Sequence, residues 1–408
     1  MDDNTMSCNS CKKRLVGILF ALLMLSFAIV FLTFAIRNIK TIISDCKTIY
    51  YCLDYHFINR QTDEDVETRS EYMRKCIKNV LSKYLMNSLN FCNCRKFFIN
   101  INSQVIQVLD LYRLPNTNIR LVRLYNGYIS VCSDYNDMER ISEDIVNFQN
   151  YLKDKNIEFI YVIAPHKNYK YHSLLPRGVK DYENENIERM ISRWKNRICY
   201  LDNREILRKT PLKHYELFYT TDTHWKVQYV FLSYCQIMAF MEKRFGLCFE
   251  TELQDFKNYS VYTLPDVYTA DALGGYFRDK EKMLYLKPQF PTRLSIRSEG
   301  NTGQNKKFNI NYCGPFDMSI LDKWYPKARI NNPNAANKKR LMIIGDSFSP
   351  QVMSLLSLSF ENIEYHIINT YEGNLSKDIE SFNPDYVICI FTSRQVTLPV
   401  FDSFSTSD

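Results

Sequence analysis

Two short segments carry the residue types that serine chemistry needs. Asp222-Thr223-His224-Trp225 supplies an acid and an imidazole two positions apart, and Gly345-Asp346-Ser347-Phe348-Ser349 supplies a hydroxyl on a tight turn. In an extended segment side chains alternate, so Asp222 and His224 would project to the same side with backbones roughly 6.5–7 Å apart. The carboxylate could then hold one ring nitrogen while the other faces Ser347. That assigns Ser347 as nucleophile, His224 as general base and then acid, and Asp222 as the orienting group. Taken singly, a Gly-Asp-Ser is usually a turn, and a histidine beside an aromatic residue is usually a packed core group. The two together, each in a suitable local context, point to a triad.

Ser347 follows the apolar run Leu341-Met342-Ile343-Ile344 and precedes Pro350 and a second apolar run at helical spacing. This predicts a buried strand ending just before the serine and a helix beginning just after it, with proline in the first turn, where its missing N–H is no loss. Backbone N–H groups of that turn would be available to an oxyanion. Asp346 would repel an anionic oxygen at this position and reads as a cap for the turn or the helix. Trp225 reads as packing for the histidine corner. Lys167 and Arg394 fall at the ends of predicted strands, on the edge where a ligand would lie, and are candidate substrate or oxyanion contacts. His166, His172 and His214 are left out of the candidate site.

The elements that must position these residues alternate along the chain. Apolar runs at 121–125 and 128–131 flank Asn126-Gly127 and read as a hairpin. There follow a helix at 138–153, a strand at 158–164, a helix at 185–197, strands at 199–202 and 215–220, the Asp-x-His-Trp corner, and a long helix at 225–245. The stretch 280–338 is rich in Asn, Lys and Pro and is expected to form loops and short strands over the catalytic edge. The chain then reads strand 340–344, helix 350–359, strand 363–368, helix 375–382 and strand 386–390. Strands rich in β-branched residues, spaced by helices, predict an α/β fold with a parallel sheet covered on both faces.

Residues 15–36 are uncharged and apolar enough to cross a ~30 Å hydrocarbon core as one helix. Lys12, Lys13 and Arg14 precede them, against Arg37 and Lys40 after, so the short N-terminus is expected in the cytoplasm. No small-x-small cleavage site follows, which predicts an uncleaved signal anchor. The expected layout is a tail at 1–14, the span at 15–36, and a polar juxtamembrane helical segment at 37–110. The formal net charge of +7 comes from Lys and Arg scattered among nearly as many acids. Without a basic stripe, nucleic acid is excluded as a partner. Of the 13 cysteines, Cys8 and Cys11 precede the span and the rest are irregularly spaced. Cys92-Asn93-Cys94 is too tight for a zinc knuckle, and Cys235 and Cys389 sit in apolar runs, so no metal site and no cofactor are expected.

The order of the two chemical segments resembles the SGNH-hydrolase-like domain of the AlgJ/AlgX family of alginate O-acetyltransferases. There a D-x-H-W segment precedes a GDSF-type serine segment, the reverse of the usual SGNH order. Residues 159–176 match the family's strand, Pro-containing loop with a lysine, and Leu-Pro. Residues 332–347 match its approach to the serine, and 384–394 its closing strand ending in arginine. The resemblance covers about residues 111–408, in a membrane-anchored, AlgJ-like layout. Two positions depart from the pattern: Ala270-Asp271-Ala272-Leu273 stands where a G-D-L-like segment belongs, and Ser393 where a glutamate does. The resemblance implies an SGNH-like sheet with the motif order permuted and a triad of Ser347, His224 and Asp222. It also implies O-acetyl transfer through an acyl-serine onto an exported polysaccharide, outside the cytoplasm, with a multispanning membrane O-acyltransferase as donor partner. A carbohydrate esterase would use the same triad with water. A catalytically silent scaffold for exopolysaccharide assembly is a third reading, and retention of all three residues counts against it.

Overall fold

The computed structural model describes residues 120–392, apart from 170–173, 177, 269–280, 300–307, 315–317, 321–325 and 372, together with Phe401 and Phe404. The expected span at 15–36 and the segment 37–110 lie outside these residues, as do Ala270-Asp271-Ala272-Leu273, Ser393 and Arg394. Every element described belongs to the unit Asn102–Asp408. Among the described residues, no helix is long and apolar enough to cross a membrane.

The described residues open with an antiparallel hairpin, β1 (Arg120–Arg123) and β2 (Ile129–Cys132). Its loop turns through Gly127 at φ 85°, a backbone region that side chains other than glycine's rarely adopt. Then come α1 (Met138–Asp154), β3 (Glu158–Ile163), α2 (Glu183–Trp194), β4 (Tyr200–Asp202), α3 (Arg204–Lys209), α4 (Val227–Phe245) and α5 (Thr251–Gln254). Strands β5 (Tyr259–Tyr268), β6 (Lys282–Pro288), β7 (Thr292–Glu299), β8 (Phe308–Gly314) and β9 (Lys327–Asn331) follow. The chain closes with β10 (Asn337–Gly345), α6 (Ser349–Ser359), β11 (Phe360–Ile367), α7 (Leu375–Phe382) and β12 (Tyr386–Phe391). Helix ends follow local chemistry. Asp137 caps α1 by accepting from the Glu139 N–H, and α4 stops at Gly246, whose left-handed φ of 67° carries its N–H back to the Glu242 carbonyl.

The main sheet has eight strands in the order β4-β3-β12-β10-β11-β9-β7-β8. From β4 to β11 it is parallel, and β9, β7 and β8 extend it antiparallel. This corrects the all-parallel expectation. The polar stretch at 280–338 does not merely loop over the catalytic edge, because β7, β8 and β9 enlarge the sheet beside β11. Antiparallel strands tolerate one wet face, so their polar alternation hid them among loop-like residues. The segment 215–220 also differs from the strand predicted there. It is a short 3-10 turn, His214–Leu217, followed by a single bridge between Phe218 and Trp225.

The period-two alternation of each central strand divides the core into two layers. Val162, Ile343, Ile390 and Ile367 face α4 and α6, and Tyr161, Ile344, Cys389 and Phe391 face α1, α2 and α7. Each such Val, Ile or Phe side chain, fully removed from water, stabilises the fold by about 1.5–3 kcal/mol. Register then sets the functional edge. Gly345 of β10 lies beside Ile367 of β11 and Ile390 of β12, so three strands end together at the Ser347 turn.

At that turn a Cβ on Gly345 would overlap the Ser349 side chain and come within 2.9 Å of the Ile390 carbonyl. Glycine is therefore what allows α6 to start so close to the strand ends. Gly345→Ala is expected to destabilise the chain by about 1–3 kcal/mol through this overlap, read as a lower midpoint in thermal unfolding. A wild-type midpoint would refute the contact.

Candidate active site

Ser347 lies between the end of β10 and the start of α6, and Asp346 builds the turn beneath it. The Asp346 carboxylate is fully buried and accepts from the Phe348 N–H at 2.9 Å, the Thr392 N–H at 2.8 Å and the Thr392 hydroxyl at 2.8 Å. The Ser349 N–H and hydroxyl both turn back to the Asp346 carbonyl, at 3.0 and 2.6 Å. Asp346 is thus the structural cap its sequence position suggested. It joins the turn to the end of β12. The cap narrows one expectation: the N–H groups of Phe348 and Ser349 are already engaged and so are not the donors an oxyanion would meet.

The acid and histidine come from the loop between the 3-10 turn and α4. Asp222 Oδ1 accepts from the His224 backbone N–H at 2.8 Å and lies 2.5 Å from His224 Nδ1. The sequence suggested an extended segment here. The chain instead bends so that Asp222 holds both the backbone and the ring of the residue two positions on, a local bond that aspartate forms readily. His224 Nε2 lies 2.8 Å from Ser347 Oγ, across 123 residues of chain. An ionised Asp222 can only accept, so the ring proton sits on Nδ1, and Nε2 accepts from the serine hydroxyl. The His224 and Asp222 side chains are 21% and 18% exposed, enough for a ligand to reach the relay.

Phe348, the residue after the serine, is buried and joins the two halves. Its ring packs 4.7 Å from the His224 ring and 5.4 Å from Trp225, which is itself buried and edge-on to Tyr229 of α4. Trp225 therefore packs the histidine corner, as expected.

Lys167 is not where a substrate or oxyanion contact would be. It is fully buried, and its Nζ donates to the carbonyls of Ile129 at 2.7 Å, Asp222 at 2.6 Å and Tyr219. Three carbonyls match the three N–H donors of an ammonium, so none remains for a ligand. The sequence placed Lys167 correctly at the carboxyl edge but could not show that it points inward. Arg394 lies outside the described residues. Glu281 escaped the sequence reading altogether. Its carboxylate accepts the N–H groups of Thr220 and Thr221, the latter at 3.0 Å, and lies 3.5 Å from Lys226 Nζ. It stands 60 residues after the loop it holds, in a charged stretch with no local mark.

Among the described residues, Glu364, His366 and Asp378 form a group with metal-ligand chemistry. Cations of the chain already occupy it: Lys327 Nζ is 2.8 Å from Asp378 and 3.4 Å from Glu364, and Arg329 Nε is 2.5 Å from Glu364. Burial works to raise the Glu364 carboxyl, but the His366 hydrogen bond and the Lys327 and Arg329 contacts outweigh it and hold the carboxyl below its usual range. The group is an ion-pair network tying β9, β11 and α7.

A family model described as the SGNH hydrolase-like domain of the acetyltransferase AlgX matches residues 129–281. That segment contains Asp222, His224 and Glu281. It stops before Ser347, which only the fold brings alongside. No curated protein matches the sequence significantly. Among solved structures, Bacillus cereus PatB1 with a sulfonyl adduct aligns at 18% identity over 71% of this chain and 98% of its own, with a TM-score of 0.56. A DHHW family protein from Eubacterium siraeum aligns at 14% identity over 72% of this chain and 98% of its own, with a TM-score of 0.53. These two likenesses establish a shared fold.

Because Asp346 satisfies three donors in a site closed to water, Asp346→Ala is expected to leave them unpaired and to cost about 1–3 kcal/mol or more. Denaturant unfolding should show a lowered midpoint, and a wild-type midpoint would remove Asp346 from the turn's framework.

Proposed function

We propose that this chain, which carries an SGNH hydrolase-like domain of the AlgX/AlgJ kind, is a serine-dependent O-acetyltransferase acting on an exported polysaccharide. The observation that carries this reading is the relay Asp222–His224–Ser347, with contacts of 2.5 and 2.8 Å, at the carboxyl edge of the sheet. His224 Nε2 takes the hydroxyl proton as Ser347 Oγ attacks the carbonyl carbon of an acetyl donor, and the Ser347 N–H faces the oxygen that gains charge. The tetrahedral species collapses to acetyl-Ser347, and the donor's leaving group departs with the proton from His224. A sugar hydroxyl then gives its proton to the same nitrogen and attacks the acyl carbon. Ser347 leaves and recovers the proton, and the sugar carries the acetyl group.

Asp222 keeps the imidazole in the tautomer that can accept from serine, and it steadies the imidazolium between the two steps. The chain is anchored by residues 15–36 with its catalytic domain outside the cytoplasm. Acetyl-CoA is absent there, so a multispanning membrane O-acyltransferase passes the acetyl group across. A reporter fused after Asp408 should be active only outside the cytoplasm, and cytoplasmic activity would overturn the anchor and the exported substrate together.

The three residues act in one proton path, so Ser347→Ala, His224→Ala and Asp222→Ala should each remove most activity, and double variants should be little worse than singles. With a small activated acetyl ester, the wild-type chain should show an acetyl mass on the Ser347 peptide. An acceptor glycan should discharge that adduct faster than water does. Equal discharge with and without every glycan offered would make the protein an esterase. Ser347→Ala with near-wild-type turnover would reject the nucleophile.

A further inference from the structure

The loop carrying Asp222 and His224 makes little regular structure of its own, so its backbone polar groups need partners elsewhere. Within the loop, the Tyr219 N–H reaches the His224 carbonyl at 3.2 Å and the Lys226 N–H reaches the Leu217 carbonyl at 2.7 Å. The His224 N–H also donates to Asp222 Oδ1, and further ties come from outside. Ile129 of β2 donates to the Thr220 carbonyl at 2.8 Å. Lys167, from the segment after β3, donates to the carbonyls of Tyr219 and Asp222 and also to that of Ile129, so one nitrogen pins the loop and the strand beside it. On the N–H side, Glu281 accepts from Thr220 and Thr221. A buried cation gathers the carbonyls of this loop and a carboxylate gathers its N–H groups.

We propose that Lys167 and Glu281 form an opposite-charge clamp that positions the Asp222–His224 pair for catalysis, and that Lys167 must carry its proton for the clamp to hold. This rests on the triad reading above and assigns it two positioning residues. The requirement for charge follows from donor number. An ammonium offers three N–H groups to three carbonyls. A neutral amine offers two and turns a lone pair toward the third. One of the three carbonyls, Asp222's among them, would then lose its donor inside a closed site, at a point directly bonded to the residue that orients His224.

The surroundings of Lys167 bear on its proton. Burial is the main influence lowering the ammonium, the charges of Asp222 and Glu281 hold it up and that of Lys226 pushes it lower, and the balance falls at about 7. The Tyr128 ring lies 5.3 Å from the same nitrogen. Glu281 thus acts twice, through its hydrogen bonds to the loop and through its charge on Lys167. Removing that charge makes the ammonium easier to deprotonate.

The test uses the full-length chain and 4-nitrophenyl acetate, following acylation of Ser347. Ser347→Ala serves as the blank, so failure of the nucleophile assignment shows separately, as wild-type acylation no faster than the blank. Lys167→Met keeps the unbranched side chain up to the last carbon and removes the donors. It should lower the acylation rate at least tenfold with KM little changed. It should also abolish or shift the low-field proton resonance expected in the wild type from the Asp222–His224 hydrogen bond. In the wild type, acylation should fall as pH rises past neutral, and Glu281→Gln should move that descending limb to lower pH. A folded Lys167→Met with wild-type rate and an unmoved resonance overturns the proposal. Should Lys167→Met fail to fold, the partly exposed Glu281→Gln decides: a displaced limb supports the clamp, and a wild-type rate with an unmoved limb overturns it.

Discussion

The catalytic edge depends on one close approach, that of the first residue of α6 to the end of β10. Gly345 has no side chain to hold the two apart, so Ser349 reaches back to the Asp346 carbonyl, and the turn between them is too short to go anywhere but outward. Ser347 is half-buried at this turn, and Phe348 is buried beside it. The buried carboxylate of Asp346 fixes the same turn to Thr392 at the end of β12. The position of Ser347 is therefore set by β12 as well as by its own strand.

The two halves of the site are built on opposite principles. The serine half is a product of regular structure: a buried strand, a glycine, a local carboxylate cap and a helix with proline in its first turn. The acid and histidine half is irregular. Asp222 can hold His224 locally, but the loop carrying both is supported by β2, by a lysine after β3 and by a glutamate before β6. Phe348 lies between the halves against His224 and Trp225. Aromatic packing thereby brings the residue after Ser347 against His224.

Charge inside this fold serves mainly to join elements. Lys167 and Glu281 hold a loop, and the group of Glu364, His366, Asp378, Lys327 and Arg329 joins β9, β11 and α7. In both places the cost of taking charges out of water is offset only because each is met by opposite charge or by several hydrogen bonds. The net positive charge of the sequence thus gives no guide to ligand preference. Some of its most constrained cations lie inside, where a ligand cannot meet them.

Local pattern alone determined a good deal. The run Leu341-Met342-Ile343-Ile344, with Gly345 and Pro350 after it, specifies a strand, a turn and a helix, because each of those preferences acts over a few residues. The β-branched strands spaced by helices specified the parallel half of the sheet for the same reason. The acid beside His224 was legible because Asp222 reaches it through two residues of chain. Tertiary structure decided the rest. Strands β7 to β9 pair with one another and join the sheet only where β9 meets β11, and their own sequence reads as polar loop. Lys167 points inward because three carbonyls from two distant segments converge on it, and no spacing in the sequence records a convergence. The contact between His224 and Ser347 spans 123 residues, and it exists only where packing around Phe348 brings a turn and a loop, each indifferent to the other locally, into one place.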